Sequence, residues 1–181
     1  IKGRERNDSF DQKENFVVFE CVCRLLSKGY RPEHIELEKE WHLGHDAKGG
    51  RADICVSDTS GNMLFIIECK TWGREYDKAL NNTKSDGAQL FSYWQQEHSC
   101  KWLVLYASDL RSGCIAYKAP TIDCSDDANI ILLSKKDKSI KLYRDAHTTS
   151  AKYEAWKETY GSQIHDDLIF SEDSVAYQIG V

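Results

Sequence analysis

The sequence predicts an α/β domain, and three observations carry that prediction. A helix with an apolar stripe opens the chain, two apolar strands follow that are joined by a polar turn, and a second amphipathic helix leads into a further buried strand. The predicted order is helix, three strands, helix, strand, then an irregular tail.

Asp11 to Lys28 reads as the first helix, with Phe16, Phe19, Cys23 and Leu26 at helical spacing, Glu20 beside that stripe, and Gly29 placed to end it. Pro32 breaks the chain. Ile35, Leu37, Lys39, Trp41 and Leu43 then alternate as a strand, leading through Gly49-Gly50 into a second strand at Arg51 to Val56. Asp58 to Asn62 reads as a turn and Met63 to Lys70 as the returning strand of a β-hairpin. Thr71 to Lys84 is polar with a loop-like start. Ser85 to His98 reads as a helix with Ser85 as its N-cap and Leu90, Tyr93, Trp94 and Glu97 on adjoining faces. Lys101 to Ala107 is a buried strand. Shorter strands are expected at Cys114 to Lys118, Ile130 to Ser134 and Ile140 to Tyr143, and a helix at Ser150 to Tyr160.

Chemistry concentrates in the hairpin. Alternation puts Glu68 and Lys70 on one strand face, their Cα atoms roughly 6.6 Å apart, with Leu64 and Ile66. Phe65, Ile67 and Cys69 point the other way, so the strand is apolar on both faces and central. An unpaired carboxylate at the end of such a strand costs several kcal/mol or takes up a proton. A divalent cation is one way to hold it charged. An acid-x-Lys triplet alone also reads as a buried ion pair, and Asp11-x-Lys13 and Asp46-x-Lys48 have the same spacing. Those two lie in polar segments, whereas Glu68-x-Lys70 ends an apolar strand and receives Asp53 from the strand before it.

The chain has 181 residues, 41% of them hydrophobic, enough for one well-buried domain, and a formal net charge of −5 provides no global basic field. Any contact with nucleic acid must use local basic groups. The 7 cysteines include no C-x-x-C pair and mostly lie in apolar runs, as expected of reduced thiols in a cytoplasmic protein. His42 to Asp46 reads as a polar loop in preference to a zinc site. No apolar run is long enough to span a membrane. The absence of an initiator methionine and the apolar last residues suggest a piece of a longer protein.

Glu20, Asp53, Glu68-Cys69-Lys70 and Gln89-Leu90-Phe91-Ser92-Tyr93, in that order, resemble the PD-(D/E)XK nuclease superfamily over about residues 10 to 110. The Gln-x-x-x-Tyr signature looks like that of the RecB-like branch. The hairpin is similar to the amino-terminal nuclease region of restriction enzymes. Ala52 stands where the motif's namesake proline would be, while the acid that the chemistry needs, Asp53, is present.

The resemblance implies a central mixed β-sheet flanked by helices, with residues 1–145 as the nuclease-like domain and 146–181 as a helical connector toward a downstream domain. It implies Mg²⁺, replaceable by Mn²⁺, held by Asp53, Glu68, the Cys69 backbone carbonyl and Glu20. Lys70 would orient or help deprotonate the attacking water. Gln89 and Tyr93, four apart and so on one helix face, would support the site. Lys48, Arg51, Trp72, Arg74, Lys78 and Lys84 would form a lip for DNA phosphates, with Trp72 as a wedge or stacking surface, although interrupting acids also permit a solvated loop. The expected function is a metal-dependent DNA endonuclease, the amino-terminal cleavage module of a restriction-modification enzyme working with methyltransferase or helicase domains or subunits. A repair or recombination nuclease and a catalytically silent DNA-binding scaffold are the alternatives.

Overall fold

The computed structural model describes residues 1–3, 13–43, 47–124, 130 and 177–178, with the side chains of 42, 43, 47–49, 86, 177 and 178 excepted. Ile130 apart, the strands expected at 130–134 and 140–143, the helix at 150–160 and the boundary at 145/146 lie outside those residues, as do the side chains of 42–46.

A mixed sheet forms the centre. Its strands are β1 (Lys2–Gly3), β2 (Ile35–Leu43), β3 (Ala47–Ser57), β4 (Met63–Cys69), β5 (Trp102–Arg111), β6 (Cys114–Lys118), β7 (Thr121–Asp123) and β8 (Tyr177–Gln178). They lie in the order β1-β2-β3-β4-β5-β6-β8, and β7 also pairs with β5. The β2-β3-β4 meander is antiparallel, with Leu37 opposite Ile54 and Ile54 opposite Ile67. The hairpin turn is held by Asp58, whose Oδ1 accepts the Ser60 and Asn62 N–H groups at 2.9 and 2.8 Å.

β4 then pairs parallel with β5, Glu68 opposite Leu105 and Cys69 opposite Tyr106. Parallel pairing requires a crossover, and helices supply it. Every residue of β4 is buried, as its apolar faces predict. One face packs on α1 (Lys13–Ser27) through Phe65, Ile67, Cys69, Val104 and Tyr106. The other packs on α2 (Arg74–Asp86) and α3 (Ala88–Trp94) through Ile66, Leu103, Leu105 and Ala107.

Two expectations are corrected. The stripe expected to bury α1 points partly outward, with Phe19 at 55% and Leu26 at 38% exposure, while Val17, Val18, Cys21, Val22 and Leu25 meet the sheet. This helix is apolar on more than one side, and the smaller, β-branched side permits closer approach to the sheet. The polar segment after Lys70 is helical, because Tyr76, Ala79, Leu80 and Thr83 recur at helical spacing and turn inward. Ser85 therefore belongs to the end of α2. Gly87, at φ 75°, caps α2 by donating its N–H to the Thr83 carbonyl at 2.8 Å and starts α3 in a new direction. Gly87→Ala should lower stability by about 1–2 kcal/mol in urea denaturation, the cost of a side chain in that left-handed conformation.

Candidate active site

Glu68 lies at the end of the central strand with 4% of its surface exposed. One register step beyond the Ile54–Ile67 pair, Asp53 reaches the same strand end, where its Oδ2 accepts the Cys69 N–H at 2.8 Å. The Lys70 N–H donates to the Tyr106 carbonyl at 2.8 Å and ties the strand end to β5. The Lys70 ammonium donates to Glu68 Oε1 and approaches Glu14 Oε1 at 3.4 Å. Asp53, Glu68 and Lys70 thus meet at one strand end.

Burial, and then the Asp53 charge, push the Glu68 carboxyl up to about 7, against the opposing pull of Lys70 and Tyr93. Burial alone would lower the Lys70 pKa, but the Glu68 charge and hydrogen bond, with smaller contributions from Glu14 and Asp53, raise it. Near neutral pH Lys70 is therefore a hydrogen-bond donor and not a base.

From α3, the Tyr93 hydroxyl lies 2.5 Å from the Arg51 carbonyl and 2.9 Å from Glu68 Oε2, and it accepts from the Gln89 amide. It joins β3, β4 and α3 at one atom. The phenol ring stacks on Trp41 at 5.4 Å between centroids, and a Cβ built on Gly50 would stand 2.6 Å from its Cε1. Gly50 is thus the space into which this ring fits.

The first helix delivers a different acid from the one expected. Glu20 is buried on the opposite face of the sheet, where it pairs with Arg24 at 2.6 Å and accepts from the Tyr106 hydroxyl, while the Arg24 guanidinium lies 3.8 Å above the Tyr117 ring. Its charge is satisfied there, away from Asp53 and Glu68. Glu14, one helix end away, faces Lys70 instead. Arg24, four residues after Glu20, was the available sequence signal for a structural ion pair.

A cleft of about 510 Å³ adjoins the site, lined by Glu14, Glu68, Lys70, Lys78, Asn82 and Gln89 among others. Of the basic residues expected to meet DNA, Lys78 lines it, and Arg74 and Lys84 are exposed on α2. Arg51 is engaged, its Nε 2.7 Å from Glu38 Oε2. Glu38, buried and at φ 55°, was not anticipated and departs from ordinary strand geometry beside the Asp53 strand. Trp72 is half-buried, with Arg111 and Lys118 over its ring at 4.4 Å each. The Lys48 side chain lies outside the described residues.

Residues 14–121 match the family model described as type I restriction enzyme R protein N terminus (HSDR_N). The chain belongs to this family. The match covers the meander, the crossover, β5 and β6, so the HSDR_N assignment and the mixed α/β sheet agree with the resemblance drawn from the motif residues. No curated protein matches the chain. Among the described residues, no group of three or more His, Cys, Asp or Glu side chains is arranged to hold a metal, and no helix is long and apolar enough to cross a membrane. All seven cysteines are free thiols.

Two predictions follow from Glu68 and Tyr93. Because the folded-state pKa of Glu68 is raised from 4.5 to about 7, its protonated form contributes stability fully below about pH 4.5, and that contribution is lost as pH rises through about 7. In chelator, Glu68→Gln should remove this component, on the order of 3 kcal/mol between pH 5 and 8 in urea titrations. Tyr93→Phe should cost about 1–3 kcal/mol by removing the one O–H that the buried Glu68 carboxylate and the part-buried Arg51 carbonyl share.

Proposed function

We propose that this domain is a metal-dependent DNA endonuclease that hydrolyses phosphodiester bonds, the amino-terminal cleavage module of a cytoplasmic restriction enzyme whose downstream helicase or methyltransferase domains or subunits select the DNA. The observation that carries this reading is the meeting of Asp53, Glu68, Lys70 and the Gln89–Tyr93 pair at one strand end beside an open cleft, in a member of the HSDR_N family.

The donor set fits Mg²⁺ or Mn²⁺. Two hard carboxylates lie side by side, and the Glu68 pKa, raised first by burial and then by the Asp53 charge, marks a cost that a divalent cation relieves. Such ions are commonly held by one or two carboxylates, with waters and substrate phosphate oxygens completing the set, so a three-carboxylate cage is not required. Asp53 and Glu68 would hold the ion, with the Cys69 carbonyl as a further oxygen. When bound, the ion would polarise the phosphate and lower the pKa of a water. Lys70, kept as an ammonium, donates to the attacking water or to a non-bridging phosphate oxygen and stabilises developing charge. Tyr93 holds the Glu68 carboxylate and the Arg51 backbone in place, and Gln89 holds Tyr93. Glu14, facing Lys70 from α1, takes the place that the resemblance assigned to Glu20.

The test is cleavage of plasmid DNA by the purified chain. Mg²⁺ and Mn²⁺ should support nicking or cutting and Ca²⁺ should not. Asp53→Asn should abolish cleavage, and Lys70→Met should reduce it by about 10²–10³-fold, with melting curves still cooperative. Glu20→Gln should lower stability by about 3–5 kcal/mol while folded molecules still cut. Cleavage that survives both Asp53→Asn and Lys70→Met would remove this reading.

A further inference from the structure

We propose that Arg111 and Lys118, propped on Trp72, form a phosphate-holding edge that grips the DNA backbone on the β5–β6 side of the cleft. The identity of the polyanion rests on the nuclease reading above. The surface itself rests on separate residues.

Lys118 is paired with Ala107, the residue after Tyr106, whose carbonyl accepts the Lys70 N–H. Lys70, Ala107 and Lys118 therefore form a row across the sheet, and two strand spacings put the Lys70 and Lys118 Cα atoms roughly 9–10 Å apart. Ala107 and Leu105 face the α2–α3 side, and Leu105 is opposite Glu68, so this row belongs to the face that carries the site. Arg111 lies further along the same alternation of β5. A strand with its reacting phosphate at Lys70 thus passes a second phosphate within reach of Lys118 and then Arg111.

Trp72 explains why these long side chains stay there. Both cations lie 4.4 Å from its ring, and Lys118 is also 4.9 Å from the Tyr76 ring. An aromatic face holds the stem and charge of each side chain while its donors remain in water, so less rotamer freedom is lost when a phosphate is bound. Both residues are exposed, Arg111 at 54%. The acid beside them is Asp109, 3.3 Å from Arg111 and itself 48% exposed, a surface pair that contributes little and that a phosphate can replace. Trp72 is accordingly a pedestal for cations and not a stacking surface for bases. The need for such an edge follows from charge. Glu14, Glu68 and Glu75 line the cleft, and the whole chain carries −5, so phosphates must be drawn in by cations set around those acids.

The test is binding of a fluorescent DNA duplex by the full chain, in chelator so that no cutting occurs, over a series of salt concentrations. Relative to wild type, Arg111→Gln with Lys118→Gln should bind roughly five- to tenfold more weakly at low salt. The slope of log affinity against log salt should become shallower by about 2, as expected for two lost phosphate contacts. Lys118→Arg should keep the wild-type slope. Trp72→Leu, which keeps both charges, should weaken binding by a smaller factor. Melting curves establish that each variant is folded. An unchanged affinity and slope in the double glutamine variant, or no duplex binding by the wild-type chain at low salt, would overturn the proposal. If the slope shifts as stated but Mg²⁺ supports no cleavage, the surface stands and the nuclease reading falls. If cleavage proceeds and the slope does not move, the reverse holds.

Discussion

The constraint on which the rest of this domain depends is the burial of a carboxylate, Glu68, at the end of its central strand. A charge so placed needs partners from several directions, and the chain supplies them from separate elements: Lys70 from the strand's own continuation, Tyr93 from α3, and a second carboxylate, Asp53, from β3. The first two stabilise the ionised form and the third opposes it. The result is a group that titrates near neutrality instead of in the ordinary carboxylate range, and so takes a proton or a cation in answer to its surroundings.

The two faces of the sheet divide the work. On the α1 side, the buried Glu20, Arg24 and Tyr106 pair with one another, with Arg24 over the half-buried Tyr117 ring, and this fixes how α1 lies on β5 and so where its first turn ends, beside Lys70. On the other side, Tyr93 closes the crossover onto the meander, with Gly50 leaving room for its ring and Trp41 covering it. Residues that never approach the cleft thereby govern the positions of those that do.

Most of the strand framework was legible in the sequence because its signals are local. The turn at Asp58 to Asn62, the two-faced apolar run before Glu68, and the spacing of Gln89 and Tyr93 each lie within a few residues. What was not legible depended on neighbours distant in the chain. Phe19 and Leu26 have the period of a buried stripe, yet the sheet took the Val17, Cys21 and Leu25 side. Glu20 resembled a site acid by its place on the first helix; Arg24, four residues on, was a local sign of pairing, but the partner that completes its burial, Tyr106, is 86 residues away. The helix over Arg74 to Asp86 was hidden by its polarity, since only a narrow face turns inward. Arg51 and Trp72 read as exposed contacts, and their actual companions, Glu38, Arg111 and Lys118, come from other strands.

The way α2 is joined to the sheet has a consequence for how such a domain diversifies. The register of β4 with β5 is set by core residues beneath, and Tyr93, the partner that reaches Glu68 from a helix, arrives on α3, so α2 acts as a roof resting on a finished floor. It inserts Tyr76 and Thr83 and leaves most other side chains in solvent. Its outward-facing side chains can be exchanged or recharged without disturbing the core contacts of Tyr76 and Thr83 or the acids below them. The charge of the entrance can therefore be altered on α2 alone, while the residues around Glu68 stay bound to one another.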